Sequence, residues 1–410
     1  MSSFSVPLSG MNASSQEMTI ISNNLANLNT PGYKSTSSDF STLFYQSIGN
    51  SGDGDPMQVG TGTQIGSVTM NLTDGAVQTT GIDSNMAIQG SGMFVVGSNG
   101  QQKFTRAGDF IVGADGYLEA PDGSTVQGYQ AVNGVINANG PLTSLQLGSV
   151  SSPAQATSAI SLGLNLDSEA AVGGSFSQPI QVYDSLGGTH TVTASFTKTA
   201  TNAWNYAVTL PGADTGGGSP TTMASGSLTF NSSGDLTAPA GPINLTSAAL
   251  ADGASAFNIN WNLKDSQGNP LITQSAAASA PLSSTQNGIA SGTLTGFTIN
   301  SDGTVTGSFS NGQTQTLGQV VLATFANAQG LQAAGGNNFE STAASGLATI
   351  GAPGTGSRGS VEGGSIEQSN VDIAAEFANL IQAQQSYEAS AKAVTTFDQI
   401  TTTTLNMQTG

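Results

Sequence analysis

Residues 369–407, near the C-terminus, carry apolar side chains at alternating spacings of four and three residues. That spacing is the seven-residue repeat of a helix that packs a narrow seam against another helix. Neither proline nor glycine interrupts the run, and Ser369 with Asp372 matches a helix-start capping box. The seam comprises Ile373, Phe377, Leu380, Gln384, Tyr387, Ala391 and Val394. So thin a seam does not stabilise a long helix alone in water, so the helix needs a partner.

The N-terminal segment carries a matching repeat. Pro7 is tolerated in the first turn of a helix because its missing N–H would be unpaired there. The residues of this seam are Met11, Ser14, Met18, Ile21, Leu25 and Leu28. The segment ends at the breaker cluster Asn29-Thr30-Pro31-Gly32. We therefore expect the two termini to pair, either as an ordinary helix pair on a globular core or as a device for assembly, and the pattern leaves both open.

Between the helical ends the sequence predicts β-structure. Pairs such as Asp74-Gly75, Asp115-Gly116 and Asn133-Gly134 separate short runs of strand-forming residues, and both members of such a pair readily take positive φ. Residues 151–283 alternate apolar and polar side chains with a period of two, as around Trp204, which gives one buried and one solvated face. The hairpin style of residues 287–350 matches that of residues 73–145, so these two stretches predict one discontinuous domain with another inserted into it.

The expected fold class is mainly β with α-helical coiled-coil termini and discontinuous, nested domains. The expected parts are a terminal coiled-coil domain (1–32 and 366–410), an extended linker (33–72), a first β domain (73–148 and 286–352), an inserted β domain (149–285) and a Gly-rich linker (353–365).

The composition argues against several classes of function. Twenty-five acidic against 7 basic residues give a net charge of -18, which argues against a nucleic-acid surface because phosphate contacts need clustered Lys and Arg. The absence of cysteine excludes disulfides, thiolate catalysis and zinc–thiolate sites. The N-terminus lacks the pattern of a cleaved secretory signal, and no apolar run reaches the ~18–20 residues that span a bilayer. Only 8% of residues are charged, and such a surface permits contacts between copies of one chain.

No motif predicts catalysis, a cofactor site or a metal site. Gly354 to Gly359 fits the dinucleotide fingerprint, but another glycine-rich stretch follows it instead of a helix, so it is interpreted as a linker. His190 is the only histidine and has no thiolate or second imidazole to share a metal, so a strand-edge role is expected. No G-x-S-x-G nucleophile motif occurs. Most aspartates, including Asp53 and Asp115, sit beside glycine, where Asp forms turns.

Two terminal motifs resemble the signatures of the flagellar rod and hook protein family. The first spans residues 22–34 and contains Asn24, Asn27, Asn29, Thr30, Gly32 and Tyr33. The second begins at residues 369–372 with Ser369, Asn370, Val371 and Asp372, and continues through residues 384–392. Residues 86–96 and 104–110 also resemble segments shared by rod and hook members. Residues 182–187 with His190 and Trp204 resemble the inserted domain of the hook members, which the shorter rod members lack.

The resemblance implies a structural protein that is not an enzyme and has no cofactor. Hook members of the family polymerise into a short, curved, hollow tube, a universal joint that transmits motor torque from rod to filament. The terminal domain would then form the inner, axial wall with the two seams as polymerisation contacts, and residues 149–285 the outer surface.

The implied partners are further copies of the chain, the distal rod, hook cap and hook–filament junction proteins, and the flagellar export apparatus, with no nucleic acid and no membrane insertion. The implied location is the extracellular flagellum, after export without a cleaved signal peptide. A distal-rod protein of the same family is the alternative, followed by an extracellular β-rich hydrolase or adhesin.

Overall fold

The structure, a computed structural model, describes residues 4–50, 56–98, 100–148 and 150–408. It is mainly β with one long helix at each end, which confirms the expected fold class. Helix α1 spans Ser5–Ala26 and helix α2 spans Ile373–Gln408. Two short 3-10 turns lie at Gly212–Thr215 and Ala328–Gly330. Neither described helix is both long and apolar enough to cross a membrane.

The strands follow one another in short segments along the chain. Those before residue 150 are β1 (Thr36–Thr42), β2 (Tyr45–Asn50), β3 (Pro56–Gly60), β4 (Thr63–Met70), β5 (Val77–Thr79), β6 (Met86–Gln89), β7 (Met93–Ser98), β8 (Gln101–Thr105), β9 (Ile111–Val112), β10 (Leu118–Glu119), β11 (Thr125–Val132), β12 (Val135–Ile136) and β13 (Thr143–Ser144). The next are β14 (Ser151–Ser152), β15 (Ala159–Asp167), β16 (Ser175–Tyr183), β17 (Thr189–Ala200), β18 (Ala203–Leu210), β19 (Thr221–Phe230), β20 (Leu236–Ala238), β21 (Ile243–Thr246), β22 (Asn258–Asn262), β23 (Ile272–Ser275) and β24 (Ala280–Gln286). The last are β25 (Gly292–Ile299), β26 (Thr304–Phe309), β27 (Thr314–Val320), β28 (Leu322–Thr324), β29 (Gln332–Gly335), β30 (Asn338–Glu340), β31 (Thr349–Gly351), β32 (Ser360–Gly363) and β33 (Ser365–Glu367).

The chain divides into two compact units. Unit 1 comprises Met1–Ser149, Gly296–Gly307 and Gln315–Gly410, and unit 2 comprises Val150–Thr295 and Ser308–Thr314. Unit 1 contains both helices and a sheet in which β27, β11, β7, β8, β30 and β29 are successive neighbours. Tight turns connect several neighbouring strands of unit 1, as predicted from the Asx-Gly pairs. At the turn from β11 to β12, for example, Asn133 and Gly134 have φ of 52° and 77°.

The two helices of unit 1 pack against each other in opposite directions. Phe4 lies beside Phe397, with ring centroids 6.3 Å apart, and Asn24 bonds Glu376 at the other end of the pair. Between these ends, a Cβ on Gly10 would lie only 3.0 Å from the Ser390 hydroxyl oxygen, so glycine allows a close approach. The helices therefore pair over most of the length of α1 within one chain.

Unit 2 contains two five-stranded sheets that share one hydrophobic core. In the first, β21, β22, β15 and β23 are successive neighbours and β24 also pairs with β15; in the second the order is β16, β17, β18, β19 and β20. Alternate side chains on β17 and β18, such as Phe196 and Trp204, enter the core, which also holds Trp261. Period-two alternation therefore located the buried face correctly.

Residues 33–72 were expected to be an extended linker, but the described parts of this stretch, 33–50 and 56–72, contain paired strands. β1 pairs with β4 and β2 with β3, both antiparallel. Ser37 and Thr69 share a hydroxyl hydrogen bond across the first pair. Serine and glycine dominate this stretch and concealed the Thr, Tyr, Ile and Val residues among them, which favour strands.

The Gly-rich stretch 353–365, also expected to be a linker, ends in a strand. β32 pairs with β6, with Val361 opposite Ile88. A Cβ on Gly359 would lie 2.1 Å from the Gln89 carbonyl oxygen, so glycine here permits close backbone contact. Its role at this position is close packing, not flexibility.

Helix α2 begins at Ile373, four residues after the expected start at Ser369. The capping oxygen belongs to Asp372, whose Oδ1 accepts hydrogen bonds from the N–H groups of Ala374 (2.9 Å) and Ala375 (3.2 Å). Residues Ser365–Glu367 form β33, which pairs with β5. The prediction that Ser369 caps the helix was therefore wrong, because the segment just before it pairs with β5 and the helix begins only after Asp372.

Candidate functional site

The signature residues from the two ends of the chain meet within unit 1, where the helices join the β-strands. We call this region the helix junction and define it as Asn24, Gly32, Tyr33, Lys34, Asp74, Arg106, Glu367, Asn370 and Glu376. It connects α1, the segment entering β1, the segment before β5 and the segment leading into α2.

Asn24 is the central residue on the α1 side of the helix junction. Its Nδ2 donates to the Thr36 carbonyl oxygen and to Glu376 Oε1, both at 2.8 Å. Its Oδ1 accepts from the Thr36 N–H at 3.0 Å and the Tyr33 hydroxyl at 3.1 Å. Asparagine is a poor residue for a helix interior, so its position here is explained by these bonds. One buried amide thus connects α1, β1 and α2.

Gly32 lets the chain pass close to the β-strands. Its φ of 67° lies in the left-handed region, and its N–H donates to the Glu367 carbonyl oxygen at 2.8 Å. A Cβ at this position would lie 2.5 Å from the backbone at Arg106 and Ala107. Both the backbone conformation and the space require glycine.

Glu367 is fully buried and bridges two buried cations. Its Oε1 lies 2.6 Å from Lys34 Nζ, and its Oε2 lies 2.9 Å from Arg106 Nε. Arg106 also pairs with Asp74 at 2.7 Å. Burial lowers the pKa of Lys34, although its hydrogen bond to Glu367 opposes the shift. Two carboxylates thus balance two cations contributed by segments that are far apart in sequence.

The remaining donors around this ion network are also paired. Arg106 Nη1 donates to the carbonyl oxygens of Gly90 (2.7 Å) and Gly92 (2.8 Å). The Gly75 N–H donates to Glu367 Oε1 at 2.8 Å. Asp74-Gly75, predicted to be a hairpin turn, therefore connects strands that do not pair with each other and contributes to the ion network instead.

Asn370 fixes the chain as it approaches α2. Its Oδ1 accepts from the Ser35 N–H at 2.8 Å, and its Nδ2 donates to the carbonyl oxygens of Asn71 (2.9 Å) and Thr73 (3.0 Å). With Asp372 capping the helix, two of the C-terminal signature residues have defined structural roles. Val371 is buried beside them.

The other N-terminal signature residues close the turn after α1. Thr30 donates its hydroxyl proton to Asn27 Oδ1 at 3.1 Å, and Asn27 donates back to the Asn23 carbonyl oxygen. Asn29 is exposed. The sequence did not point to Glu367, and it indicated Asp74 only as part of a turn and Lys34 and Arg106 only as members of motifs. Their ion pairs could not be predicted because Glu367 meets its two cations across 333 and 261 positions of the chain.

The predicted seam residues fall into two groups. Met11, Met18, Ile21, Leu25 and Leu28 on the N-terminal side, and Leu380, Tyr387 and Val394 on α2, are buried or half-buried in the single chain. Ile373 and Phe377 are 46% and 52% exposed, whereas Ala383, not predicted, is buried. The contact face of α2 is therefore rotated relative to the predicted seam, consistent with the Glu376–Asn24 hydrogen bond. Ile373 and Phe377 remain predicted contacts with other chains.

A second cluster of charged groups surrounds the single histidine, in unit 2. His190 Nε2 lies 2.8 Å from Asp184 Oδ2 and 3.7 Å from Asp252 Oδ2, and its Nδ1 lies 3.2 Å from Asp214 Oδ2. Burial disfavours protonation of His190, but its hydrogen bond to Asp184 and the nearby charges of Asp184 and Asp214 outweigh this effect and raise the pKa. Burial likewise opposes ionisation of Asp184, but its bonds from His190, Leu186 and Gly188 lower the pKa.

These two shifts predict a pH dependence for unit 2 in metal-free buffer with chelator. Because the pKa of His190 is raised in the folded protein, its protonation stabilises the folded state fully at pH values below the ordinary pKa of 6.5. This stabilisation is lost as the pH rises through the raised pKa. Because the pKa of Asp184 is lowered in the folded protein, its ionised form stabilises the folded state at pH values above the ordinary pKa of 3.8. This stabilisation is lost as the pH falls through the lowered pKa. We expect the melting temperature, followed by tryptophan fluorescence, to fall above neutral pH. A His190→Asn variant should lose this alkaline decline, and an unchanged decline would contradict the assignment.

Comparison with known proteins identifies relatives over the whole chain. Four family models match: Flagella basal body rod protein at residues 5–34, Flagellar hook protein FlgE/F/G D1 domain at 87–163, Flagellar basal body protein FlaE D2 domain at 153–289, and Flagellar basal body rod FlgEFG protein C-terminal at 362–407. The chain is 34% identical to flagellar hook protein FlgE of Salmonella typhimurium, over 99% of this chain and 100% of the relative. It is 33% identical to the Escherichia coli K12 protein of that name over 99% and 100%, and 33% identical to the Treponema pallidum protein over 98% of each chain. Most residues of the helix junction lie in the two terminal matched segments, 5–34 and 362–407, and Asp74 and Arg106 lie between these segments.

Proposed function

The chain belongs to the flagellar hook protein family and is a structural subunit of the hook, and from this we propose that it polymerises with copies of itself into a curved, hollow tube. In the proposal the tube transmits motor torque from the rod to the filament and carries out no catalysis. The terminal domain (1–32 and 366–410) forms the inner wall. The first β domain (73–148 and 286–352) and the inserted domain (149–285) lie progressively further out.

The observation that carries the proposal is the unfilled apolar face of α2. Ile373, Phe377 and Ile381 lie at successive four-residue spacings and are each about half exposed in the single chain. Near the end of the helix, Ile400 is also exposed. A helix that already has one partner and still presents a second apolar face is typical of a bundle with further helices. In a polymer, the helices of neighbouring copies supply them.

The helix junction supports a role in carrying load. Torque applied to β-structure reaches the helical core of a tube only through the segments that join them. Here those segments are held by the Asn24 hydrogen bonds and by the buried ion network of Glu367, not by flexible chain. Buried hydrogen bonds and ion pairs weaken sharply when their geometry is disturbed, and a network in which all groups are paired is rigid. Such a junction therefore resists rotation better than a linker does.

Further partners and export complete the proposal. The ends of the tube contact the distal rod, the hook cap and the hook–filament junction proteins, and the subunit reaches the extracellular flagellum through the flagellar export apparatus. The low share of charged residues, 8%, supports close packing of copies because few charges must be desolvated at each contact.

Electron microscopy of the purified full-length chain, concentrated to promote assembly, tests the proposal. We expect curved hollow tubes. Straight, rigid tubes would favour the distal-rod alternative, and particles that remain monomeric at every concentration would contradict self-assembly. A truncated chain that ends at Asp372 provides the control, because it lacks α2 but retains the helix-junction residues up to Asn370, and it should form no tubes.

A further inference from the structure

The cluster around His190 gathers three carboxylates from three separate segments of unit 2. Asp184 follows β16, Asp214 lies in the 3-10 turn Gly212–Thr215, and Asp252 lies in a turn before β22. His190 is the second residue of β17. The Ala251 N–H donates to the Asp214 carbonyl oxygen at 2.9 Å, so the two loop segments are also joined to each other. Loops that carry three like charges converge on one side chain.

The charges of this cluster do not balance. Three carboxylates face one imidazole, so the sum is -2 even when His190 is protonated, from three charges of -1 and one of +1. Asp184 is fully buried and His190 is only 9% exposed. In the part of unit 2 that the structure describes, Lys and Arg are few, and no ion pair joins one to these carboxylates. Like charges held this close favour a bound cation.

The two ring nitrogens face different surroundings. Nε2 faces Asp184 and Asp252, and the three candidate ligand atoms all lie within 4.8 Å of one another. Nδ1 is buried and faces Asp214 Oδ2 at 3.2 Å, yet it makes no well-aligned hydrogen bond. A metal-binding histidine typically coordinates through one nitrogen while the other donates to a carboxylate. The four side chains are arranged in that pattern.

We propose that unit 2 binds a divalent transition-metal ion through His190 Nε2 and carboxylate oxygens of Asp184 and Asp252, while the Nδ1–H group of His190 donates a hydrogen bond to Asp214. Ligand bonds of ~2.0–2.2 Å place neighbouring donor atoms roughly 3–4 Å apart. The Nε2–Asp252 distance of 3.7 Å already fits, and the 2.8 Å Nε2–Asp184 contact opens slightly when coordination replaces the hydrogen bond.

The ligand set favours particular metals. One imidazole with two carboxylates suits Zn²⁺ or Mn²⁺ better than Ca²⁺ or Mg²⁺, which prefer oxygen donors alone. Asp184 Oδ1 stays bonded to the N–H groups of Leu186 (2.7 Å) and Gly188 (2.9 Å), which orients the carboxylate. The bound metal would connect the segments that carry Asp184 and Asp252 to β17. The single-histidine argument from sequence missed this possibility because each aspartate, taken alone, is a turn former.

Metal titration of the full-length chain, first treated with chelator, tests the site. We expect one equivalent of Zn²⁺ to bind and to raise the melting temperature reported by tryptophan fluorescence, because Trp204 and Trp261 both lie in unit 2. Co²⁺ should give visible absorption bands of a nitrogen- and oxygen-ligated ion. Affinity should fall at acidic pH because a proton competes for Nε2.

Matched variants make the result decisive. Asp252→Asn should weaken Zn²⁺ binding more than about tenfold, and it should keep the fold because Asp252 is partly exposed. Asp265→Asn is the control, since Asp265 accepts the same i+2 and i+4 backbone hydrogen bonds as Asp184, from Gln267 and Asn269, with no histidine nearby. No Zn²⁺ binding at millimolar concentration, or equal binding by Asp252→Asn and the parent, would overturn the proposal and leave His190 as a hydrogen-bond partner of Asp184 alone.

Discussion

Replacing Glu367 by glutamine should lower the free energy of unfolding of unit 1 by about 3–5 kcal/mol, the typical cost of removing one partner from a buried ion pair. Glutamine has nearly the same volume, so packing is preserved while Lys34 and Arg106 lose their shared counter-charge. Asp74 cannot replace it, because its side chain is 44% exposed and it forms an ion pair with Arg106 but not with Lys34. The loss arises from charge left unpaired in a buried site.

The measurement can separate the two units. Denaturant unfolding followed by far-UV circular dichroism at helical wavelengths reports α1 and α2, both in unit 1, whereas tryptophan fluorescence reports unit 2. Only the first signal should shift. Glu362→Gln is the control, since Glu362 lies on the nearby β32 and bonds Gln89 at the surface, and it should change stability by less than about 0.5 kcal/mol.

A double variant tests the coupling directly. Adding Lys34→Met to Glu367→Gln removes one of the two cations that the first substitution leaves unpaired. The double variant should therefore lose less free energy of unfolding than the sum of the losses in the two single variants. Strict additivity, or a shift of under 1 kcal/mol for Glu367→Gln, would show that the ion network does not hold the helix junction together.

Replacing Phe377 by aspartate should abolish tube formation and leave the folded subunit intact. Phe377 is 52% exposed in the single chain and lies outside its buried core, so the substitution should disturb the folded subunit little. If copies pack against this face of α2, every contact in the lattice acquires an unpaired buried carboxylate, at a cost of several kcal/mol each. Sedimentation and electron microscopy measure assembly, and circular dichroism of the monomer checks the fold.

Two comparison variants identify which face is involved. Asn379→Asp places the same charge on the same turn but on the other side of α2, and it should still assemble. Leu380→Asp alters the half-buried side facing α1, so it should both loosen the helix pair and prevent assembly. Normal tubes from Phe377→Asp would mean that the exposed face of α2 is not a contact between copies.

Several elements could be predicted because their causes are local. The heptad spacing predicted both helices, and period-two alternation around Trp204 identified a buried strand face. Asn133-Gly134 forms the predicted tight turn because both residues accept positive φ without help from distant parts of the chain. The start of α2 was misplaced by four residues because Asn370, which resembles part of a helix start, bonds to segments near residues 35 and 71–73.

The helical ends, the β-rich interior and the family follow from the amino-acid sequence, because periodicity and turn chemistry act over a few residues and motifs can be compared directly. Which polar residues act together depends on the folded structure, which no local pattern reveals. Glu367 meets Lys34 across 333 positions, and Asp252 approaches His190 from a separate loop, because hydrogen bonds and charges act through space. The folded structure also decided that Phe377 stays exposed while Ala383 is buried, since the rotation of α2 is set by its contacts with α1 and not by its own repeat.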